Sequence, residues 1–294
     1  SEEILGEVLE GRYDDILVTS KARMPIGQGP NDEGLSRWHL IRECERSLKR
    51  LRTDHIDIYY MHEWDGLTPV EEKMAALETL IQQGKIRYAG CSNYSGWQVM
   101  KSLAAAPSHA SRFVTQQIHY TLEAREAEYE LLPLSVDQGL GLLIWSPLMA
   151  GLLSGKHRRG SAPAKGSRQE AGWDEPPIRD ISRLWNIVDA LVEIGEAHEV
   201  EAAQVALAWL LTRPAVASLV VGGRRVEQFE RNFRAVDLVL SDNELTLLND
   251  VSRLPLVYPY WHQHNFARSR FSEADQALHA DYPDRHFGGE DLLV

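Results

Sequence analysis

Six short apolar runs, each separated from the next by a longer amphipathic stretch, constrain this chain more than any other feature. The runs cover residues 16–21, 56–62, 86–93, 113–120, 140–147 and 216–223. The stretches whose apolar spacing predicts helices are 35–51, 69–83, 96–105, 125–138, the pair 181–198 and 202–212, then 226–236 and 242–251. The runs are rich in Ile, Val and Leu, as strands are when both faces are covered. Strands alternating with helical crossovers form a parallel sheet, so the fold class expected is α/β. Each run also ends at or near a polar, small or aromatic residue: Lys21, His62, Ser92 with Asn93, Gln117, Trp145 with Ser146, and Gly222. In a closed barrel of βα units the chemistry sits at the C-terminal strand ends. Six such ends in succession predict one site at one mouth.

Composition narrows the function classes. Asp and Glu total 43 against 31 Lys and Arg, a net charge of −12. Nucleic acid and anionic membranes are gripped by clustered cations, so neither is an expected partner. The longest apolar stretch, residues 139–153, is broken by Ser146 and Pro147 and falls short of the ~20 residues of a spanning helix. Two cysteines, Cys44 and Cys91, make no disulfide framework and fit a reducing cytoplasm. The opening Ser1-Glu2-Glu3 has no basic or apolar leader and reads as a helix cap followed by acids that suit the helix dipole. Ile4, Leu5, Val8 and Leu9 form its stripe and Gly11 stops it. A chain that opens inside a cap is expected to have lost residues upstream. Residues 154–179, rich in Gly, Pro, Ser and charge, predict a long loop at the mouth. Residues 1–252 are expected to form the barrel and 253–294 an extension. The extension's Tyr258, Tyr260, Trp261, His262 and His264 are expected to pack over the mouth, and its last ~20 residues to be partly disordered.

At finer grain, the stretches SEEILGEVL, ILVTSK, SLKRLRTDHIDIYYMHEWDGLTPVEE, ALETLIQQGKIRYAGCSNYSGW, QQIHYTL, LIWSPLMAGLLSGK and VALAWLLTRPAVASLVVGGRRVEQFERNF carry a resemblance. In this order and spacing they resemble the aldo-keto reductase superfamily, in the branch that includes potassium-channel β-subunits and many bacterial reductases. The resemblance implies a TIM (β/α)8 barrel, here without its first strand, first helix and second strand. It also implies an extended NADPH bound without a GxGxxG motif, and the chain has none.

The family's catalytic set is Asp, Tyr, Lys and His. Lys21, closing ILVTSK, matches the Lys; His62, in YYMHEWD, matches the His. The Asp and Tyr are expected upstream of Ser1. The resemblance gives Lys21 the task of stabilising a phenolate, and His62 that of orienting the substrate carbonyl through a hydrogen bond. Tyr60 shares the strand face of His62 but lies one layer deeper, and takes no such role. For the cofactor, Ser92, Asn93 and Gln117 match the residues that hold the nicotinamide carboxamide, and Trp145 the aromatic stacked on its ring. Ser146, Pro147, Leu148, Gly151, Leu152, Ser154 and Lys156 match the loop around the pyrophosphate. Gly222 and Gly223 precede a helix start suited to phosphate. Arg224 and Arg225 stand where a cation meets the 2′-phosphate, favouring NADP(H) over NADH. Gln228 and Asn232 follow on one helical face, suited to adenine.

The expected function is NADPH-dependent reduction of a small aldehyde or ketone, with the missing Asp and Tyr leaving the activity of residues 1–294 alone in doubt. The alternative is a cofactor-binding regulatory module like a channel β-subunit. A Schiff-base aldolase using Lys21 is a third and weaker reading. Oligomeric state and substrate identity are not readable, although Trp64, the long loop and the tail are where specificity is expected. The His262-x-His264 spacing lacks neighbouring metal ligands and reads as structural. Asn93-Tyr94-Ser95 matches a glycosylation pattern without a secretion signal.

Overall fold

The structure is a computed structural model, and it describes residues 1–162, 165–173 and 175–283. In chain order its elements are α1 (Glu2–Val8), β1 (Thr19–Ala22), α2 (Arg37–Leu51), β2 (Ile56–Met61), α3 (Val70–Gln82), β3 (Ile86–Ser92), α4 (Gly96–Ala105) and β4 (Phe113–His119). There follow α5 (Ala127–Gln138), β5 (Gly141–Trp145), α6 (Ile181–Ala197), α7 (Ala202–Leu211), β6 (Val216–Val220) and α8 (Val226–Phe233). The last are α9 (Asp242–Ser252), α10 (Tyr260–Phe266) and α11 (Glu273–His279). The strands form one sheet in the order β1 to β6, and the first four pair in parallel. This is the βα alternation of a TIM-like barrel, with six strands among the described residues.

Every expected strand and helix is present, most with ends trimmed by one to three residues. β1 starts three residues late because a 3-10 turn occupies Tyr13–Asp15 and the Val18 N–H is taken by the Asp57 carboxylate at 2.7 Å. α8 stops at Phe233 and passes into a 3-10 turn at Arg234–Asp237. Helix starts are capped as their sequences require. Ser36 Oγ accepts from the His39 N–H at 3.2 Å, and Asp180 from the Ser182 and Arg183 amides at 2.8 and 3.1 Å. Ser1 precedes α1 without a side-chain cap bond.

The chain divides into two compact units. The first comprises Ser1–Ile118 with Gly139–Leu142, the second His119–Gln138 with Leu143–Val294. This division does not follow the 252/253 boundary.

In the first unit, Leu40, Leu51, Ile56, Tyr59, Tyr60, Met61, Leu77 and Leu80 are fully buried between sheet and helices. Gly90 is obligatory there. A Cβ on it would lie 2.6 Å from the Tyr60 ring and 3.1 Å from the Thr115 carbonyl oxygen. α1 packs on α2 through Gly6 and through Glu2, which takes Arg50 at 2.6 Å and the Ser20 hydroxyl. Asp65 knits the loops after β1 and β2, accepting from the Leu35 and Leu67 amides at 2.8 and 2.9 Å and from Thr68 Oγ1 at 2.6 Å.

The second unit is centred on a buried ionic network. Arg125 reaches Glu128 at 2.9 Å, Ser252 at 2.8 Å and Asp281 at 2.7 Å, while Arg213 reaches the same Asp281 oxygen at 2.8 Å. Buried charges are tolerated only when paired and hydrogen-bonded this fully. The network also fastens the tail, whose Tyr260 stacks on Tyr129 of α5 at 5.5 Å and whose α11 packs against α5. Of the tail aromatics expected over a mouth, Tyr260 stacks on α5, while Tyr258, Trp261 and His262 contact one another and His264 lies against His279. Cys44 and Cys91 are buried and unlinked. Among the described residues no helix is long and apolar enough to cross a membrane.

Candidate active site

In the first unit the ladder register places the candidate residues in rows. Lys21 pairs with Tyr60, Tyr60 with Gly90, and Gly90 with Thr115. Two residues further along each strand, on the same face by alternation, come His62, Ser92 and Gln117, with Ser92 and Gln117 direct partners. The row is continued by the backbone. His62 N–H donates to the Ala22 carbonyl at 2.9 Å, and Asn93 N–H to the Gln117 carbonyl at 3.1 Å. Asn93 lies at φ +58°, a conformation its short polar side chain tolerates, and its Nδ2 donates to the His62 carbonyl at 3.2 Å. Lys21, His62, Ser92, Asn93 and Gln117 are thus brought to one rim.

Burial tunes this rim. The Lys21 ammonium is half-buried, and desolvation lowers its pKa. His62 is pushed below the ordinary imidazole range, first by burial and then by the Lys21 charge; Glu63 opposes this, and Arg23 adds to it. A neutral imidazole at neutral pH still carries one N–H to donate. Ser92 Oγ is buried and has no hydrogen-bond partner, a costly condition unless something else fills the site. Tyr59 and Tyr60 are fully buried, and burial raises both phenol pKa values. Neither is placed to deliver a proton.

The second unit holds the remaining candidates. Trp145 ends β5, with its ring 4.6 Å from that of His119, whose Nδ1 donates to the Trp145 carbonyl at 3.3 Å. His119 Nε2 is buried without a partner. After β5 the backbone turns repeatedly into the left-handed region, at Ser146, Met149, Ala150, Gly151 and Gly155. Three of those residues carry side chains, and such strain persists where the surroundings impose it, often at ligand sites. Ser146 Oγ accepts from the Ala150 N–H at 3.2 Å, and Ser154 Oγ donates to the Gly151 carbonyl at 2.6 Å. Pro147 and Leu152 are buried, Leu148 is half-buried and Lys156 is exposed.

Gly222 and Gly223 lie beyond the end of β6, in the exposed turn before α8. Gly223 accommodates the Phe229 ring, which a Cβ there would meet at 2.8 Å. Gln228 Oε1 accepts from the Arg224 and Arg225 amides at 2.8 and 3.2 Å, so this side chain caps the helix start. The Arg224 guanidinium donates to the Gly166 carbonyl at 2.9 Å, which ties the long loop to the start of α8. Arg225 is exposed and Asn232, one turn after Gln228, is half-buried.

Three residues at these rims were not singled out as site residues from the sequence: Arg23, His119 and Asp65. The first two stand two places after Lys21 and Gln117, so strand alternation was the signal that would have found them.

A model of the aldo/keto reductase family matches residues 1–253. The chain belongs to the aldo/keto reductase family. It is 38% identical over 247 residues to the uncharacterized oxidoreductase YrpG of Bacillus subtilis, covering 82% of this chain and 73% of the relative. A probable voltage-gated potassium channel subunit beta of Arabidopsis thaliana is 34% identical over 245 residues, covering 81% and 74%. The L-glyceraldehyde 3-phosphate reductase of Escherichia coli K12 is 31% identical over 258 residues, covering 85% and 74%. As an aldo/keto reductase the chain is an oxidoreductase of carbonyl compounds, and its family works with nicotinamide cofactors. The residues present fit such a group. Ser92 in the first unit offers a buried unpartnered hydroxyl of the kind a carboxamide would satisfy, and Trp145 in the second unit offers an aromatic ring of the kind a nicotinamide stacks on.

Proposed function

We propose that the chain is an NADPH-dependent reductase of small aldehydes or ketones, acting in the cytoplasm. The observation that carries this reading is the strand-end row: half-buried Lys21 on β1 and, two residues past its register partner Tyr60, His62 at the end of β2, backed by the unpartnered hydroxyl of Ser92. Bound NADPH would supply the hydride, and the catalytic tyrosine that the family resemblance implies would supply the proton that completes the alcohol. His62 donates its N–H to the substrate oxygen and orients the carbonyl. Lys21 would hold its positive charge beside that tyrosine and stabilise the phenolate left when the proton is given up. Ser92, Asn93 and Gln117 would hold the carboxamide, Trp145 would stack on the ring, and the segment from Ser146 to Lys156 would follow the pyrophosphate. Gly222 and Gly223 let the chain approach a phosphate, and Arg224 with Arg225 supplies forked cations for the 2′-phosphate. Gln228 spends its oxygen on the helix cap, which leaves its Nε2 hydrogens, with Asn232, for adenine.

Similarity to a probable channel β-subunit favours a second reading, a cofactor-binding regulatory module. Fluorescence titration with NADPH and NADH, followed by aldehyde-dependent NADPH oxidation, separates the two. The reductase reading expects tighter binding of NADPH and steady turnover. Tight binding with no turnover on any aldehyde in the natural full-length protein would support the regulatory reading. Equal affinity for both cofactors would remove the 2′-phosphate assignment.

A further inference from the structure

Arg23 follows β1 directly, two places after Lys21, and is half-buried. Its φ is +128°, a region that side-chain-bearing residues avoid. Such a backbone is strained for a residue with a Cβ, and a glycine would occupy it freely. The position is held from both sides. The Gly34 N–H donates to the Arg23 carbonyl at 2.9 Å, and the His62 N–H to the preceding Ala22 carbonyl at 2.9 Å. The strain therefore keeps an arginine side chain at the rim occupied by Lys21 and His62.

Its recorded ionic partner does not account for that. The guanidinium lies 3.8 Å from Glu63, and the two side chains are 31% and 42% exposed. A pair so long and wet contributes little to stability. Charge at this rim is also unbalanced. Lys21 and Arg23 face Glu63, while the Asp65 carboxylate is engaged by two amides and Thr68. A positive rim on a chain of net charge −12 draws anions to that rim. Beside Glu63, Trp64 packs edge-on to Tyr94 at 5.3 Å and to exposed Trp97 at 5.6 Å, making an apolar wall.

We propose that Arg23 is a substrate-specificity residue that receives an anionic substituent, a carboxylate or a phosphate, on the carbonyl substrate, next to an apolar body lying on the Trp64–Trp97 wall. The proposal rests on the reading of His62 as the residue facing the substrate oxygen, with Lys21 on the adjoining strand. Both cations act on His62 as well, in the direction that keeps it neutral, though burial contributes more.

The test begins with ligands that do not react. Calorimetry would measure benzoate, phenyl phosphate and benzyl alcohol binding to the full-length protein, with and without NADPH. The wild type should bind at least one of the two anions about ten-fold more tightly than the alcohol, as a charge-assisted bond at a partly exposed site allows. The preferred anion tells carboxylate from phosphate. Arg23→Ala and Arg23→Gly should lose that preference, and Glu63→Gln should strengthen it by a few-fold. Arg23→Gly should melt no lower than the wild type, because it relieves the backbone, so its lost anion binding is not lost folding. The ratio of kcat/KM for para-carboxybenzaldehyde over benzaldehyde, or for a phosphorylated triose over its parent, should fall in step. Anions bound no better than benzyl alcohol, or equally well after Arg23→Gly, would overturn the proposal. Anion preference lost on Arg23→Gly with no aldehyde reduced would uphold the anion site and remove the reductase reading instead.

Discussion

The strand-end row of the first unit and the loops of the second are built on opposite principles. Lys21, His62, Ser92 and Gln117 sit at or just beyond the ends of paired strands, and ladder register alone sets their spacing. Their surroundings are buried, and burial shifts both Lys21 and His62. The segments from Ser146 to Lys156 and from Gly222 to Asn232 lie mostly outside regular strands. They turn at positive φ or carry exposed arginines, and the Arg224 guanidinium is tied to the Gly166 carbonyl of the long loop. Reacting atoms need fixed neighbours, which a ladder supplies; a long charged cofactor needs contacts spread along it, which loops and a helix start supply.

The largest separable effect should come from the arginines. Replacing Arg224 and Arg225 with Ala should weaken NADPH several-fold to about a hundred-fold, since each charged hydrogen bond is worth ~1.5–3 kcal/mol. NADH affinity should barely move. Equal losses for both cofactors, read by fluorescence titration, would dissolve the contrast between recognition and chemistry drawn above.

A smaller effect probes the rigidity of the row. Gly90→Ala puts a methyl group against the Tyr60 ring and the Thr115 carbonyl. Overpacking of this kind costs about 1–3 kcal/mol. A denaturant midpoint unchanged from wild type would mean that the row is not held by this contact.

The smallest concerns the tail of the second unit. His264 Nδ1 lies 3.3 Å from His279 Nδ1, and His264 Nε2 donates to the Pro283 carbonyl at 3.1 Å. Burial, and then His264 and Arg268 against the opposing Asp275, push the His279 pKa down to about 4. The unfolded chain takes up this proton near pH ~6.5, so it binds more protons than the folded chain between the two values. Stability from this site is complete above that upper value and declines as pH falls toward 4. Melting temperature should drop over this window by a few degrees more in the wild type than in His279→Gln. Parallel curves would remove the pair from the account.

Much of the architecture was legible in the residues themselves. Short apolar runs bounded by polar ends marked the strands and apolar spacing marked the helices, because both periodicities are local effects. The row of His62, Ser92 and Gln117 followed from where runs ended. Long-range pairings were not legible. Asp281 joins Arg125 and Arg213 across more than sixty residues of chain, and no local pattern announces such partners. Composition alone likewise did not show that Tyr260 of the tail stacks on Tyr129 of α5. Arg23 was within reach of strand alternation from Lys21, but its backbone at φ +128° was not legible in the sequence.

The central claim is that Lys21 and His62 of the strand-end row serve the reacting carbonyl, while Ser92, Gln117 and the loops hold the cofactor. His62→Ala in the natural full-length protein tests it most directly, with NADPH dissociation constant and aldehyde turnover measured on the same sample. Turnover should fall by about a hundred-fold or more, the usual scale for losing a positioned hydrogen-bond donor, while the dissociation constant stays within about two-fold. A large rise in the dissociation constant with turnover intact would place His62 on the cofactor and contradict the account.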